Sequence, residues 1–486
     1  MKNKIYKSIV LFSLFTFSIS WAQFLPTPQP IVNEVDFNMP YTSKYSGVAT
    51  VKAENMGSIF TTFTTLEKYD NAISTVPMKY TRWPGGTLAE TDLQKYSLTY
   101  DDIYNNFEAS KGLTSVLAYA NAKNQAFSMV IPTRRYMNNP DQGSVELKAF
   151  LVKLLNGGFG PVPANFILEI GNESAHFGWA NGVFTPGLGS YGFVTNNLLN
   201  TMRITLADPV INPKKIDIKV FISLGVNSGG QKPIFSQISA ANLKTVDGFV
   251  RHTGLVWSAD KYNLANEDLK LNIAKKYWDT AWGGQAPDFN IADTAWSVGS
   301  SQDIAEVQDP SALDVGARQS GAVVKVFSQM IAGGSDYAAM WGVQDKISSL
   351  FFHKGETITH GGYAFKLIAD SLVGATLLSG KVDTTTGLWK QTNPAYDIVS
   401  YKKGLNQAVV FISAYDIPDT GLDVALNLKN FGNIKTAVAE SVKTINPGNR
   451  INEVATTSIR AVGVVGSKIN YRLTQDYELV RITITK

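Results

Sequence analysis

Between about residue 55 and residue 370, short apolar runs alternate with stretches whose apolar positions recur at helical spacing. The runs Gly57 to Phe63, Met78 to Arg82, Ala126 to Pro132, Asn165 to Ile170, Ile216 to Leu224, Val246 to Arg251, Asp288 to Asp293 and Asp336 to Trp341 predict eight strands. Helices are predicted between them, for example over Val145 to Leu155 and Ala322 to Ile331. This rhythm predicts an α/β fold, a (β/α)8 TIM barrel. A doubly wound open sheet fits less well, because no Gly-rich phosphate loop follows the first strand. Chemistry is then expected where the strands end.

After Leu378 the pattern shifts to period two, with Gly, Asn, Asp and Pro between the runs: Ala408 to Ile412, Leu422 to Leu428, Thr436 to Ser441, Ser458 to Val465 and Tyr477 to Ile484. That texture predicts a C-terminal antiparallel β-sandwich. The expected division is a leader over 1–22, an N-terminal segment over 23–50 that can add an edge strand to the sandwich, a barrel over 51–372 and the sandwich over 373–486.

The leader is read from a basic start, MKNKIYK, an apolar run from Ile9 to Phe17, and small residues at Ser20 and Ala22, which place cleavage before Gln23. The run is short for a bilayer span of about 20 residues, so a secreted, periplasmic or cell-surface protein without a membrane span in its mature chain is expected. Composition narrows the chemistry further. The 486 residues include no cysteine, which excludes disulfides, thiol nucleophiles and thiolate metal sites. The formal charge of +4 falls to +1 if Lys2, Lys4 and Lys7 leave with the leader, which gives no electrostatic grip on nucleic acid. His176, His252, His353 and His360 form no ligand-spaced pair, so no metal and no cofactor are expected. A Gly-x-Ser-x-Gly elbow is absent as well.

The strongest local signal is Ile167-Leu168-Glu169-Ile170-Gly171-Asn172-Glu173-Ser174 at the fourth strand end. Alternation puts Glu169, Gly171 and Glu173 on one face with Glu173 outermost, where a carboxylic acid can serve as general acid and Asn172 can meet a sugar hydroxyl. Gly171-Asn172-Glu173 can also be a strand-to-helix turn with Glu173 as a helix cap. Arg82, in Arg82-Trp83-Pro84-Gly85-Gly86, can orient an acidic group with its guanidinium fork or form a salt bridge inside the barrel with Glu169. His252 ends the sixth strand, and Trp341, followed by Gln344, ends the eighth, where an indole can floor a sugar subsite.

The set RWPGG, EIGNES, VDGFVRH, Trp-Gly-Val-Gln and ITHGGYAFKLIADSLVGATLL resembles the retaining glycoside hydrolases of clan A, especially the branch of α-L-arabinofuranosidases, β-xylosidases and heparanase-like glucuronidases. The resemblance implies Glu173 as acid/base, with Arg82, Trp83, Asn172, His252, Trp296, Trp341 and Gln344 as carbohydrate contacts. It departs at strand seven, where Asn290-Ile291-Ala292-Asp293-Thr294-Ala295-Trp296-Ser297 puts Ala295 at the expected nucleophile. Asp293 is then the best remaining carboxylate, with Asp303 and Glu306 as others. Double displacement needs two carboxyl groups about 5 Å apart, whereas an inverting pair stands farther apart. Two functions are therefore expected of this sequence: hydrolysis of O-glycosidic bonds by Glu173 with Asp293, or carbohydrate binding without turnover.

Overall fold

The computed structural model describes residues 32–486 except 62–64, 92–96, 100–111, 174–189, 226–227, 253, 257–258, 260–261, 300–314, 342–356, 384–387 and 446–453. The proposed leader and the candidates Asp303, Glu306 and Gln344 lie outside the described residues.

Eight parallel strands close into a barrel in chain order: Gly57–Ile59, Tyr80–Trp83, Ala126–Ile131, Phe166–Ile170, Ile218–Ser223, Gly248–Arg251, Asn290–Val298 and Tyr337–Met340. The last pairs with the first, Ala339 opposite Gly57, which completes the ring. Alternation along each strand builds two layers. Ile59, Tyr80, Ala126, Ile167, Phe221, Val250, Ala292 and Tyr337 fill the interior, while Trp83, Phe127, Leu168, Phe249, Ile291 and Trp296 face the helices. The helix Pro140–Leu155 begins with proline at its first turn and an Asn139 side chain that accepts from the Gln142 amide, satisfying a donor the helix leaves free.

The sandwich has a six-stranded sheet, which runs in sequence from Thr376–Leu377 to Leu479–Thr485, and a four-stranded sheet that includes Leu422–Lys429. Ala408, Val410 and Ile412 face the four-stranded sheet. Val409 and Phe411 turn the other way and join the barrel's own core, so the six-stranded sheet is covered on both sides. The helix Arg318–Ala332 is the element it packs on: Ser328 and Tyr401 share a hydrogen bond of 2.6 Å, and a Cβ at Gly321 would lie 2.9 Å from the Ser413 side chain. At the outer edge of the four-stranded sheet, Val32–Asp36 pairs in parallel with Leu422–Lys429, Val32 opposite Ala425.

Candidate active site

The site is built from the ends of strands two, four, six and seven. Alternation on the fourth strand turns Ile167 and Glu169 inward and Leu168 and Ile170 outward. On the second strand Tyr80 and Arg82 face in. The two inward polar groups meet at the centre of the barrel, where Arg82 donates from Nε (2.9 Å) and Nη2 (2.5 Å) to the two Glu169 oxygens, both residues fully buried. Such a pair must be well bonded to offset its desolvation, and the fork supplies that geometry. Arg82 Nη2 also donates to Asn172 Oδ1 at 2.8 Å. Burial pushes the Glu169 carboxyl upward, but the Arg82 charge and its hydrogen bonds outweigh this and hold it below the usual glutamate range.

Beyond Ile170 the chain leaves the extended conformation. Gly171 has φ +73° and Glu173 φ +41°, the latter a left-handed position that costs a non-glycine residue free energy and recurs at functional sites. A Cβ at Gly171 would lie 2.7 Å from Tyr191 and 2.9 Å from Thr133 Oγ1. The turn is held from beneath by Glu90, which is fully buried and accepts from the Thr133 hydroxyl (2.7 Å) and from the amides of Arg134 (2.7 Å) and Asn172 (3.1 Å). Burial is the larger influence on Glu90 and raises its pKa in spite of these donors. Gly86 of the Pro-Gly-Gly exit completes the cradle, because a Cβ there would sit 1.9 Å from Asn172 Oδ1.

This turn delivers Glu173 to His252. Glu173 Oε1 lies 3.0 Å from His252 Nδ1, and its side chain keeps 23% of its surface exposed at the rim. His252 Nε2 is 3.2 Å from Thr294 Oγ1, and that hydroxyl donates to Glu169 Oε1 at 3.2 Å. A continuous polar chain thus runs Glu173, His252, Thr294, Glu169, Arg82, Asn172. Burial alone would lower the His252 pKa, yet the Glu169 carboxylate, 3.5 Å from Nε2, and the hydrogen-bonded Glu173 more than compensate and raise it above the ordinary histidine value.

Strand seven differs from simple alternation. Its pairing with strand eight slips between Asp293, opposite Ala338, and Trp296, opposite Met340, so an extra residue is accommodated in a bulge. Thr294 faces the site and Ala295, 2% exposed, joins the barrel-interior cluster, against which the half-buried Trp341 packs. Asp293 points the opposite way. It is fully buried and takes Arg251 Nε at 3.1 Å and Nη2 at 2.7 Å, in the layer between strands and helices. The expectation that Asp293 shares the cleft with Glu173 is therefore not met: its side chain has the outward parity and is engaged by Arg251. The same holds for two aromatic candidates. Trp83 is buried beside Phe127, and Trp296 is buried between Phe327 and Phe365, so neither indole reaches the rim. Sequence reading missed Thr294 and Glu90, and no local motif marks either.

Among the described residues, no group of three or more His, Asp or Glu side chains is arranged to hold a metal ion, and no helix is long and apolar enough to cross a membrane. No family model matches the chain, and no curated protein matches it in sequence. Solved structures do match. A family 51 α-L-arabinofuranosidase from Bifidobacterium longum superposes with a TM-score of 0.62 at 10% identity, covering 94% of this chain and 100% of its own. A GH51 arabinofuranosidase from Xanthomonas axonopodis pv. citri gives 0.60 at 11% identity over 93% and 99%. A GH30 endoxylanase from Clostridium papyrosolvens C71 gives 0.55 at 11% identity over 93% and 99%. The closed barrel and the second sheet domain together give this protein the barrel-and-sandwich fold of these glycoside hydrolases.

Proposed function

We propose that this protein hydrolyses O-glycosidic bonds of a polysaccharide or oligosaccharide, with Glu173 as general acid/base. The observation that carries the reading is the Glu173–His252 hydrogen bond of 3.0 Å at the barrel's C-terminal rim, the end at which such barrels hold their active sites. A carboxyl group there, partly open to solvent, can deliver a proton to a leaving oxygen and recover it from water. His252 orients it. Asn172 Oδ1 is taken by Arg82, so its Nδ2 is the donor left for a sugar hydroxyl. Trp341 offers a ring for the sugar's C–H face. Export through the Met1–Ala22 leader belongs to the same reading, and the exported chain should begin at or close to Gln23 by mass spectrometry.

The test is reducing-end release over a panel of plant and algal polysaccharides, wild type against Glu173→Gln. The variant should keep sugar binding and lose at least about a hundredfold in turnover on substrates with poor leaving groups, the usual contribution of general acid catalysis. Full activity of the variant would remove Glu173 from the mechanism.

A second reading, carbohydrate binding without turnover, is favoured by one observation: Asp293 is committed to Arg251 and the neighbouring interior position is the methyl of Ala295. Under it the wild type binds but releases nothing, and Ala295→Glu supplies the missing carboxylate and creates retaining hydrolysis. Absence of turnover in that variant on a sugar that binds would show that more than a nucleophile has been lost.

A further inference from the structure

The end of the third strand, Ala126–Ile131, carries a cation that the rest of the rim does not use. Pro132 and Thr133 lead from that strand into a 3-10 turn, Arg134–Tyr136, and barrels of this kind build their sites from such strand-to-helix segments. The Arg134 amide donates to Glu90 Oε2 at 2.7 Å, and the Asn172 amide donates to the other oxygen of the same carboxyl at 3.1 Å. One buried group therefore ties the backbone of Arg134 to the residue that precedes Glu173. Successive side chains of a 3-10 turn stand about 120° apart. Two of the three directions are taken towards the helix Pro140–Leu155: Tyr136 donates to Glu146 Oε2 at 2.7 Å, and the Arg135 guanidinium lies 5.5 Å over the Tyr136 ring, with its Nε 4.0 Å from the same carboxylate. Arg134 is left with the side of the turn that faces away from that helix.

Its charge is uncompensated. Among the described residues at this end of the barrel, Arg82 is forked by Glu169, Arg251 by Asp293, and His252 meets Glu173. Among those same residues the Arg134 side chain pairs with no carboxylate, carbonyl or ring, and its Nε is buried without a hydrogen-bond partner. The side chain is half-buried, with the two terminal nitrogens left open to solvent. A charged donor rarely gives up hydration without a bonded partner in return, and a half-buried charge is screened less than one on the open surface. Glu90 does not supply the partner, because its oxygens are engaged by the Thr133 hydroxyl and by backbone amides.

We propose that Arg134 is a specificity-determining residue of the Glu173 cleft, and that the saccharide it selects carries an anionic substituent, a carboxylate or a sulfate ester. The open end of the guanidinium presents two terminal nitrogens, a fork that matches two oxygens of either anion. A negatively charged sugar that approaches Glu173 meets like charge, and Arg134 offsets that repulsion. Asn172 Nδ2, the donor that Arg82 leaves free, reads a hydroxyl beside it, so charge and hydroxyl pattern are recognised by different side chains held on one carboxyl. A chain close to neutral overall gives a polyanion no general attraction, so selection has to come from a local group of this kind. The inference rests on the carbohydrate reading of the Glu173 site and names its class of sugar; it does not depend on turnover.

Calorimetric titration of the full chain carrying Glu173→Gln tests the assignment with matched probes: an oligogalacturonate against its methyl ester, and a sulfated galactan oligosaccharide against its desulfated form. At least one anionic probe should bind roughly tenfold or more tightly than its neutral counterpart, the scale of one charged hydrogen-bonded pair, and the arm in which it does so identifies the anion. Adding Arg134→Gln should abolish that preference and leave the neutral counterpart unchanged, with thermal unfolding as a check on the fold. Arg134→Lys, which keeps the charge and loses the planar fork, should retain a smaller preference. Lys148→Gln, which removes an equal charge from the exposed face of Pro140–Leu155, should change nothing. Anionic probes that bind no tighter than their neutral forms would overturn the proposal. So would a loss shared equally by charged and neutral probes, which is a structural effect, or an equal loss in Lys148→Gln, which is general electrostatics. Inorganic sulfate bound as tightly as the sulfated oligosaccharide would reduce Arg134 to an ion site and overturn it too. If neutral saccharides bind or are cleaved and Arg134→Gln behaves as its parent, only the anion assignment falls; if no saccharide binds, charged or neutral, the carbohydrate reading falls with it. An inactive wild type with an Arg134-dependent preference loses only the hydrolase reading.

Discussion

Glu173 and His252 come from the ends of different strands, yet they stand 3.0 Å apart, and the imidazole's other nitrogen faces Thr294 and Glu169. One ring therefore couples a half-open carboxylate to a closed ion pair. Its protonation is linked to the stability of the whole interior chain.

That linkage has a sign. The folded His252 pKa is raised, so the folded state holds the proton more tightly than the unfolded one, whose histidine titrates near about 6.5. The stabilisation is fully present below that value and is lost as pH rises through the folded pKa. In thermal unfolding between pH 5 and pH 9, wild type should exceed His252→Gln by most at the acid end, and the gap should close toward the alkaline end. A gap that widens with pH would mean that the imidazole is held neutral.

Asp293→Asn should act on folding and not on chemistry. It leaves the Arg251 charge buried without its partner, a loss of about 3–5 kcal/mol in comparable pairs. Denaturant unfolding should record that loss, while turnover per folded molecule stays near wild type. The double variant Asp293→Leu, Arg251→Met should recover most of the stability. A large fall in turnover with unchanged unfolding would return Asp293 to the mechanism.

Gly86→Ala tests the cradle around Asn172. The added methyl meets Asn172 Oδ1 at 1.9 Å, so the amide must move and release Arg82 Nη2. Overpacking of this kind costs about 1–3 kcal/mol. Saccharide affinity should fall along with stability, and Glu173 should lose its alignment, visible as reduced turnover at saturating substrate. Wild-type affinity in this variant would show that Asn172 does not touch the sugar.

The barrel was legible because its strands are short apolar runs spaced by helices, and closure needs no further information once eight are present. Strand parity was legible as well, and it carries a lesson at Trp83: with Arg82 turned inward, alternation alone sends the next residue outward into the helix layer. Asp293 was a different case. Its parity relative to residue 295 depends on the bulge before Trp296, and a bulge is a property of pairing between strands, which no single strand reveals. Thr294 and Glu90 were hidden for a related reason. Thr294 meets Glu169 across 125 residues and Glu90 meets Asn172 across 82, contacts made by ring closure and not by any local spacing. In the sandwich, the run Ala408 to Ile412, expected to alternate, is buried along its whole length because the sheet is covered on both faces, by its partner sheet and by a barrel helix.

The parallel pairing of Val32–Asp36 with Leu422–Lys429 has a consequence for the order of events on the ribosome. Val32 is synthesised roughly 390 residues before Ala425, which at about 5–20 residues per second is a wait of roughly 20–80 s. Throughout that interval the first strand's ladder groups have no native partner, whereas every strand of the barrel already has its neighbours once Tyr337–Met340 emerges. The barrel can therefore assemble while Val32–Asp36 is still loose, and the later-made strand Leu422–Lys429 is the one that fastens that segment down. The two paired strands act as a clasp, closed only after all eight barrel strands have been made.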